Sequence, residues 1–281
     1  MIQHSARKVP VIAQLVQTIR NATQNVNSER INIMIRKRRA ATMAIMIALI
    51  CLLLMINHEV PQYKYVLIDS LRIILEPSGR NYYDRAQLYS DEADVLRGQQ
   101  SAAFDNKLYL LHEKALADLN VALKKDPSNY NYYFSRACVW KGLDERQLAL
   151  ADYNRCLKIN ANATPCHLAR GIVYASLDDD TKAMEDFAHI VDLSSVIPVI
   201  WVGKAYSCRG DILSRQNNMD EAIDNFEKAI IYYLKGDQNL MAARVYVKIG
   251  NLLLARGDED NAYKKFEMAC KYGDKLYCNM R

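Results

Sequence analysis

The side chains of this chain that could carry out chemistry are five histidines and a run of three aspartates. The histidines are His4, His58, His112, His167 and His189, and none stands in a spacing such as HExxH that would bring two of them to one metal ion. The sequence also lacks the GxGxxG and GxxxxGK[ST] patterns that hold nucleotide phosphates. We therefore expect no enzymatic activity, no cofactor and no small-molecule substrate.

The three consecutive aspartates are Asp178, Asp179 and Asp180. Such a cluster can bind calcium, but this one lies between two segments with helical periodicity. An aspartate at the start of a helix accepts hydrogen bonds from backbone N–H groups that lack a partner within the helix. We therefore predict that these residues cap the helix that starts near Thr181 or Lys182, and that they bind no metal.

The charges are distributed unevenly along the chain. Residues 1–57 contain eight Lys or Arg and one acid, Glu29, whereas residues 58–281 contain 29 basic and 31 acidic residues, a net charge of −2. A nearly neutral region lacks the basic surface that binding to a polyphosphate requires. We therefore expect no nucleic-acid partner.

Residues 40–56, AATMAIMIALICLLLMI, contain no charged side chain. A helix of this length reaches about 26 Å, close to the ~30 Å of a bilayer core, and no small-residue cleavage site follows it. The basic residues Arg36 to Arg39 precede it directly, and positively charged flanks stay in the cytoplasm. We predict a basic cytoplasmic segment at 1–39, a transmembrane helix at 40–56 and a linker with an amphipathic segment at 57–78. The C-terminal domain would then lie in the periplasm of a bacterial inner membrane, with a mitochondrial membrane as the alternative.

Beyond the linker, one pattern recurs about every 34 residues. A bulky residue is followed after four positions by Gly or Ala and after three more by an aromatic residue or Leu, and then by Ala-x3-aromatic-x2-apolar. The four sets are Tyr133, Ala137, Trp140, Ala149, Tyr153, Cys156; His167, Gly171, Tyr174, Ala183, Phe187, Ile190; Tyr206, Gly210, Leu213, Ala222, Phe226, Ala229; and Tyr246, Gly250, Leu253, Ala262, Phe266, Ala269. Repeats of this length indicate stacked helical hairpins.

These positions resemble the tetratricopeptide repeat family. The resemblance implies an all-α, right-handed solenoid of four or five hairpins, with the array at 130–281 and a stretched first unit at 79–129. In that first unit, we expect the additional residues to form a longer hairpin or a loop around Gly98 to Asn106. Small residues would allow the two helices of a hairpin to approach closely, and aromatic residues would fill the space between one hairpin and the next.

The resemblance also implies that a protein partner binds in a concave groove lined by the first helix of each hairpin. The residues that we place in this groove are Asn131, Phe134, Lys141, Leu168, Ile172, Lys204, Asp211, Arg244 and Asn251. Its apolar middle favours a helix or an extended hydrophobic segment of the partner. Alternatively, residues 65–75 of the same chain (YVLIDSLRIIL) cover it, and the sequence does not separate these two interpretations.

The C-terminal residues Ala269 to Cys278 are also similar to the cysteine-paired units of Sel-like repeat proteins. This similarity implies a disulfide between Cys270 and Cys278, and Cys156 and Cys166 have a similar spacing across a similar turn. A bridge over so short a loop contributes roughly 2–3 kcal/mol in the chain-entropy description. Buried free thiols are the alternative for both pairs.

The features together predict a membrane-anchored scaffold that recruits or assembles protein partners at a membrane complex. The bilayer would be contacted through residues 40–56. A structural subunit of an organellar or envelope membrane complex is the alternative, because a permanently embedded repeat protein would have the same sequence features.

Overall fold

The computed structural model describes Ser70, Ile73 and residues 78–96 and 102–278. The chain divides into two compact units, Met1–Leu88 and Tyr89–Arg281. The predicted cytoplasmic segment, the predicted transmembrane helix at 40–56 and most of the linker lie outside the described residues. Within the described residues, no helix is long and apolar enough to cross a bilayer.

The described residues form helices and no strands, which confirms the all-α prediction. There are ten α-helices in these ranges, followed by one short 3-10 helix at Lys275–Tyr277. They are α1 (Gly79–Leu96), α2 (Ala102–Lys125), α3 (Tyr130–Gly142), α4 (Arg146–Ile159), α5 (Thr164–Ser176), α6 (Asp180–Asp192), α7 (Val199–Arg215), α8 (Met219–Lys235), α9 (Asn239–Arg256) and α10 (Glu259–Lys271).

The second unit is built from consecutive hairpins. Helices α3 and α4, α5 and α6, α7 and α8, and α9 and α10 form the four predicted pairs, and each pair also packs against the next. The predicted repeat architecture is therefore confirmed for these helices. The first predicted hairpin is longer because its helices have 18 and 24 residues. Helix α2 already begins at Ala102, so at least half of the loop expected at Gly98 to Asn106 is helical.

The turn inside each of the four hairpins contains one residue with a positive φ angle: Asp144, Asp178, Asn217 and Gly257. Aspartate, asparagine and glycine adopt this left-handed conformation more readily than other residues do. Asp178 is therefore a turn residue, and the neighbouring Asp179 caps α6 by accepting a hydrogen bond from the Lys182 N–H at 3.3 Å. Among the described residues, no group of His, Cys, Asp or Glu is arranged to hold a metal ion.

The core of each hairpin contains a contact between a small residue of the first helix and an aromatic residue of the second. A Cβ atom added to Gly171 would lie 2.7 Å from Phe187 Cε1, closer than nonbonded carbon atoms approach. A Cβ added to Gly210 would lie 2.5 Å from Phe226 Cε1, and a Cβ added to Gly250 would lie 2.5 Å from Phe266 Cε1. The glycine and aromatic positions of the repeat are therefore in the predicted register.

Candidate functional site

The first helices of the hairpins lie side by side. Helix α3 contacts α5, and α5 contacts α7. Helix α9 is joined to α7 by Lys248, whose Nζ donates to both carboxylate oxygens of Asp211 at 2.7 Å. We call the surface that α3, α5, α7 and α9 share the first-helix face, and it carries the residues that the sequence placed in a groove.

Most of the predicted groove residues are accessible on this face. Asn131, Lys141, Ile172, Asp211, Arg244 and Asn251 are exposed, and Phe134 and Lys204 are partly buried. Leu168 is only 7% exposed, because it packs in the core with Phe187 and Ala205. Leu168 therefore offers a partner little surface, although the sequence analysis placed it in the groove.

An apolar depression lies between α5 and α7 on the first-helix face. Its volume is about 450 Å³, and it is lined by Ile172, Ala175, Ser176, Phe187, Cys208, Asp211, Ile212 and Arg215. Arg215 of α7 donates to the Ala175 carbonyl oxygen of α5 at 2.9 Å and also pairs with Asp180 of α6. These contacts connect α7 to the preceding hairpin. Ile172 remains 38% exposed at the depression. The first-helix face therefore presents an apolar surface between fixed polar groups.

The polar side chains in the C-terminal half of this face bind one another. Besides Asp211, Lys248 reaches the Ser207 hydroxyl at 3.3 Å. The Lys204 ammonium lies 4.7 Å from the centre of the Trp201 ring, a cation–π contact. Lys204 and Asp211 thus have interaction partners within the chain. Ile172, at the depression, is instead left exposed.

A second arrangement, which the sequence reading missed, joins three helices. The Arg136 guanidinium of α3 donates two hydrogen bonds of 2.7 Å to Asp152 of α4 and one of 2.7 Å to Asn120 of α2. In the next hairpin, Arg170 of α5 binds Asp186 of α6 at 2.9 and 2.7 Å and Asn154 of α4 at 2.6 Å. We call each set an arginine clasp. Corresponding members are separated by 34 residues, which is the signal in the sequence that could have revealed them.

The second clasp also contains a histidine. His167 Nδ1 lies 2.7 Å from Asp186 Oδ1, and its Nε2 lies 2.8 Å from the Ala161 carbonyl oxygen. Both neighbours can accept a hydrogen bond, so each ring nitrogen of His167 has a polar partner within the chain. Burial acts to raise the pKa of Asp186, but the hydrogen bonds from His167 and Arg170 outweigh burial and lower it. His167 thus has a structural function in the second clasp.

The ring of the neighbouring His189 packs against that of His167 at a tilt of 34°, with ring centroids 4.1 Å apart. The pKa of His189 is lowered, first by burial and then by the nearby charge of His167. His189 is therefore not positioned to share a metal or a substrate proton with His167, whose nitrogens are both occupied.

The structure joins Cys156 to Cys166 and Cys270 to Cys278, with Cα atoms 6.6 and 4.9 Å apart. Each bridge closes a turn at the end of a second helix. Cys138 and Cys208 are not bridged. Burial raises the pKa of the Cys208 thiol to about 11, so it is protonated and a poor nucleophile at neutral pH. Whether the two bridges form in the cell depends on the compartment and remains a prediction.

Residues 201–272 match the family model for the tetratricopeptide repeat, which corresponds to helices α7 to α10. No curated protein sequence matches the chain. Among solved structures, BtubC from P. vanneervenii aligns over 78% of this chain and 91% of its own, at 15% identity and a TM-score of 0.58. The pilF protein of Pseudomonas aeruginosa aligns over 68% and 78%, at 17% identity and a TM-score of 0.51.

The Cut9-Hcn1 hetero-tetramer of APC/C also has a similar fold, with 12% identity, a TM-score of 0.55 and coverage of 80% of this chain and 43% of that one. At these identities the likeness concerns the fold. The tetratricopeptide resemblance is therefore supported by the family model and by the helical-repeat fold. The similarity to Sel-like repeats has no counterpart in these matches and stays a prediction.

Proposed function

We propose that this chain is a scaffold that binds a protein partner on its first-helix face and is held at a membrane by residues 40–56. The observation that carries the proposal is the apolar depression of about 450 Å³ between α5 and α7, where Ile172 is exposed beside fixed polar groups. An apolar surface with a polar border is typical of protein interaction sites. No catalytic constellation competes with this function among the described residues.

The partner segment that fits this surface is a hydrophobic helix or an extended apolar strand. The depression is lined mainly by Ile172, Ala175 and Ile212, so burial of apolar side chains would supply most of the binding energy. Arg215 is tied to Ala175 and Asp180 and so is not free to hold a peptide carboxylate. This arrangement favours an internal segment of a partner over a charged chain end.

The membrane part of the proposal rests on the sequence. The uncharged run at 40–56 and the basic residues before it favour an anchor with the repeats on the exported side. The two cysteine pairs favour the same side, because disulfides persist in oxidising compartments. We infer a bacterial inner membrane with the repeats in the periplasm, and a mitochondrial membrane is the alternative.

Site-specific crosslinking tests the proposal in intact membranes. A photoreactive residue at position 172 should trap a partner, whereas the same residue at position 231 should not. Ile231 is a matched control because it is 63% exposed and lies on α8, a second helix. Equal products at both positions would contradict the assignment of the site. A crosslink from position 172 to residues 65–75 would show that the chain covers its own groove. A partner recovered in a fixed, salt-resistant ratio would favour the structural subunit.

A further inference from the structure

One hairpin has kept the arginine of the clasp but lacks the two residues that accept its hydrogen bonds. Arg209 precedes Gly210 as Arg170 precedes Gly171, so it occupies the clasp position of the hairpin formed by α7 and α8. Its two expected acceptors have changed. Asn225 stands where Asp186 would be, and Ala188 stands where Asn154 would be.

These changes leave buried polar atoms without partners. Arg209 Nε and Asn225 Oδ1 are both inaccessible to solvent and have no hydrogen bond within the described structure. Asn225 is only 6% exposed, and its Nδ2 donates to the Glu221 carbonyl oxygen of its own helix at 2.8 Å. An unsatisfied buried polar group lowers the stability of the fold, so an added acceptor would be favourable at this site.

The alanine at position 188 leaves space beside Arg209. An open cavity of about 480 Å³ lies between α6 and α7, lined by Asp180, Thr181, Met184, Glu185, Ala188, Arg209 and Gln216. Ala188 contributes only a methyl group where a clasp would have an asparagine. Asp180 at the rim is engaged by Arg215 and by Gln216, whose Nε2 donates to it at 2.8 Å, so it does not satisfy Arg209. Other residues of α7 line the depression on the first-helix face.

We propose that the cavity at Arg209 binds the carboxylate of an acidic side chain from a protein partner. Arg136 and Arg170 each hold an aspartate with two hydrogen bonds, so an arginine at this position is suited to binding a carboxylate. A carboxylate from outside would reach the Arg209 guanidinium from the side of Ala188, where the second clasp has Asn154. Met184 and Ala188 offer apolar surface to the stem of that side chain. The carboxylates of Asp180 and Glu185 at the rim disfavour a doubly charged phosphate, whereas a single carboxylate attached to an apolar stem avoids that repulsion.

This site is separate from the depression at Ile172, so the scaffold would hold two segments at once. The proposal does not depend on the identity of the segment that binds on the first-helix face. It requires only that Arg209 lacks its acceptor in the isolated chain.

The test rebuilds the clasp. Asn225→Asp restores the acceptor that Arg136 and Arg170 have. It should raise the urea midpoint of the detergent-solubilised full-length protein, and it gives Arg209 a carboxylate partner from inside the hairpin. Asn239→Asp is the matched control, because it makes the same change of an amide to a carboxylate at the exposed start of α9. The probes are peptides selected from a random 12-residue library on the wild-type protein.

We expect one group of selected peptides to require an Asp or Glu. Their affinity should fall at least about tenfold on Asn225→Asp, and equally when their acidic residue is changed to the amide. Asn239→Asp and the first-helix-face variant Ile172→Glu should leave them bound. Arg209→Gln should also abolish binding, and circular dichroism shows whether that variant is folded.

Several results would overturn the proposal. The first is a selection in which no peptide loses affinity on Asn225→Asp. The second is that peptides sensitive to this change still bind after their acidic residue is replaced. The third is that millimolar inorganic phosphate displaces all such peptides. The last result would identify a site for free oxyanions. A selection that yields only peptides sensitive to Ile172→Glu would remove this site and leave the proposed function intact. A selection that yields only peptides sensitive to Asn225→Asp would contradict the site on the first-helix face.

Discussion

The close contact between Gly171 and Phe187 is the sharpest test of the hairpin packing. In Gly171→Ala the new Cβ would lie 2.7 Å from Phe187 Cε1, 3.0 Å from Cζ and 3.2 Å from the Asp186 Cβ. Phe187 is fully buried, so its ring can move only if its neighbours move too. Gly171→Leu places a much larger side chain at the same point.

The expected loss of stability follows from two opposing effects. Alanine is favoured over glycine inside a helix by about 1 kcal/mol. Forcing additional carbon into a packed core costs about 1–3 kcal/mol. We therefore expect Gly171→Ala to lower the free energy of unfolding by about 0–2 kcal/mol, and Gly171→Leu to lower it by about 3 kcal/mol or more.

Urea unfolding of the detergent-solubilised full-length chain measures both effects. The fluorescence of Trp201 reports on the relevant region, because Trp201 packs against the core that contains Phe187. Phe187→Leu makes room for a new Cβ, so the double variant Gly171→Ala/Phe187→Leu should be more stable than the sum of the single effects predicts. Neighbouring residues show such coupling at about 0.5–3 kcal/mol.

The reasoning would be refuted if the two changes were additive within about 0.5 kcal/mol, because the residues would then not be in contact. Lys182→Ala is the control. Its ammonium is solvent-exposed and pairs with Asp179 on the surface, so the change should be near neutral. A Gly171→Leu variant as stable as Lys182→Ala would show that the repeat register is wrong.

Three further outcomes follow from the clasps and the cysteines. Asp186→Asn should destabilise by about 3 kcal/mol, because it leaves the buried end of Arg170 without its carboxylate. Since the pKa of Asp186 is lowered in the fold, its stabilisation is present above about pH 4 and is lost as pH falls through its native pKa, so the variant should show a flatter acid limb in urea midpoints. Arg170→Met should destabilise in the same assay, whereas Arg209→Met should be neutral or stabilising, and equal losses would contradict the broken clasp. In intact cells, Cys270 and Cys278 should resist alkylation until a reductant is added, and protease should reach the repeats once the outer barrier is opened. Free thiols together with protease protection would contradict export.

The part of the fold that the sequence predicts best is the part set by apolar and small residues at fixed intervals. Gly171, Gly210 and Gly250 lie opposite the expected phenylalanines because a solenoid repeats the same helix contact in every hairpin. The start of α2 was harder to predict. Residues 98–106 contain a glycine and several polar side chains, a composition typical of a loop, yet α2 already begins at Ala102. Helix ends are set by local capping and by tertiary contacts that a repeat pattern does not contain.

The candidate site was predicted less completely, for a related reason. Counting positions along a first helix identifies the side chains that face the groove, but it does not show how deeply each is covered. Leu168 and Ile172 are four residues apart and thus on one stripe, yet Leu168 is covered by the core around Phe187 and Ala205 while Ile172 is exposed. The depth of a side chain depends on the size of residues from other helices.

The hairpin of α7 and α8 has changed its polar contacts without changing its core. Gly210 approaches Phe226 as closely as Gly250 approaches Phe266, so the helix packing of the repeat is intact. If the clasp had been lost only because the structure does not need it, the buried and unpartnered Nε of Arg209 would cost stability, and an apolar residue would serve better. This hairpin therefore combines two properties. Its fold is preserved, and its arginine has an unsatisfied donor beside an opening of about 480 Å³. A bound carboxylate accounts for the retained arginine, because it would give the guanidinium an acceptor from outside, whereas the neighbouring hairpins carry their acceptors within their own helices.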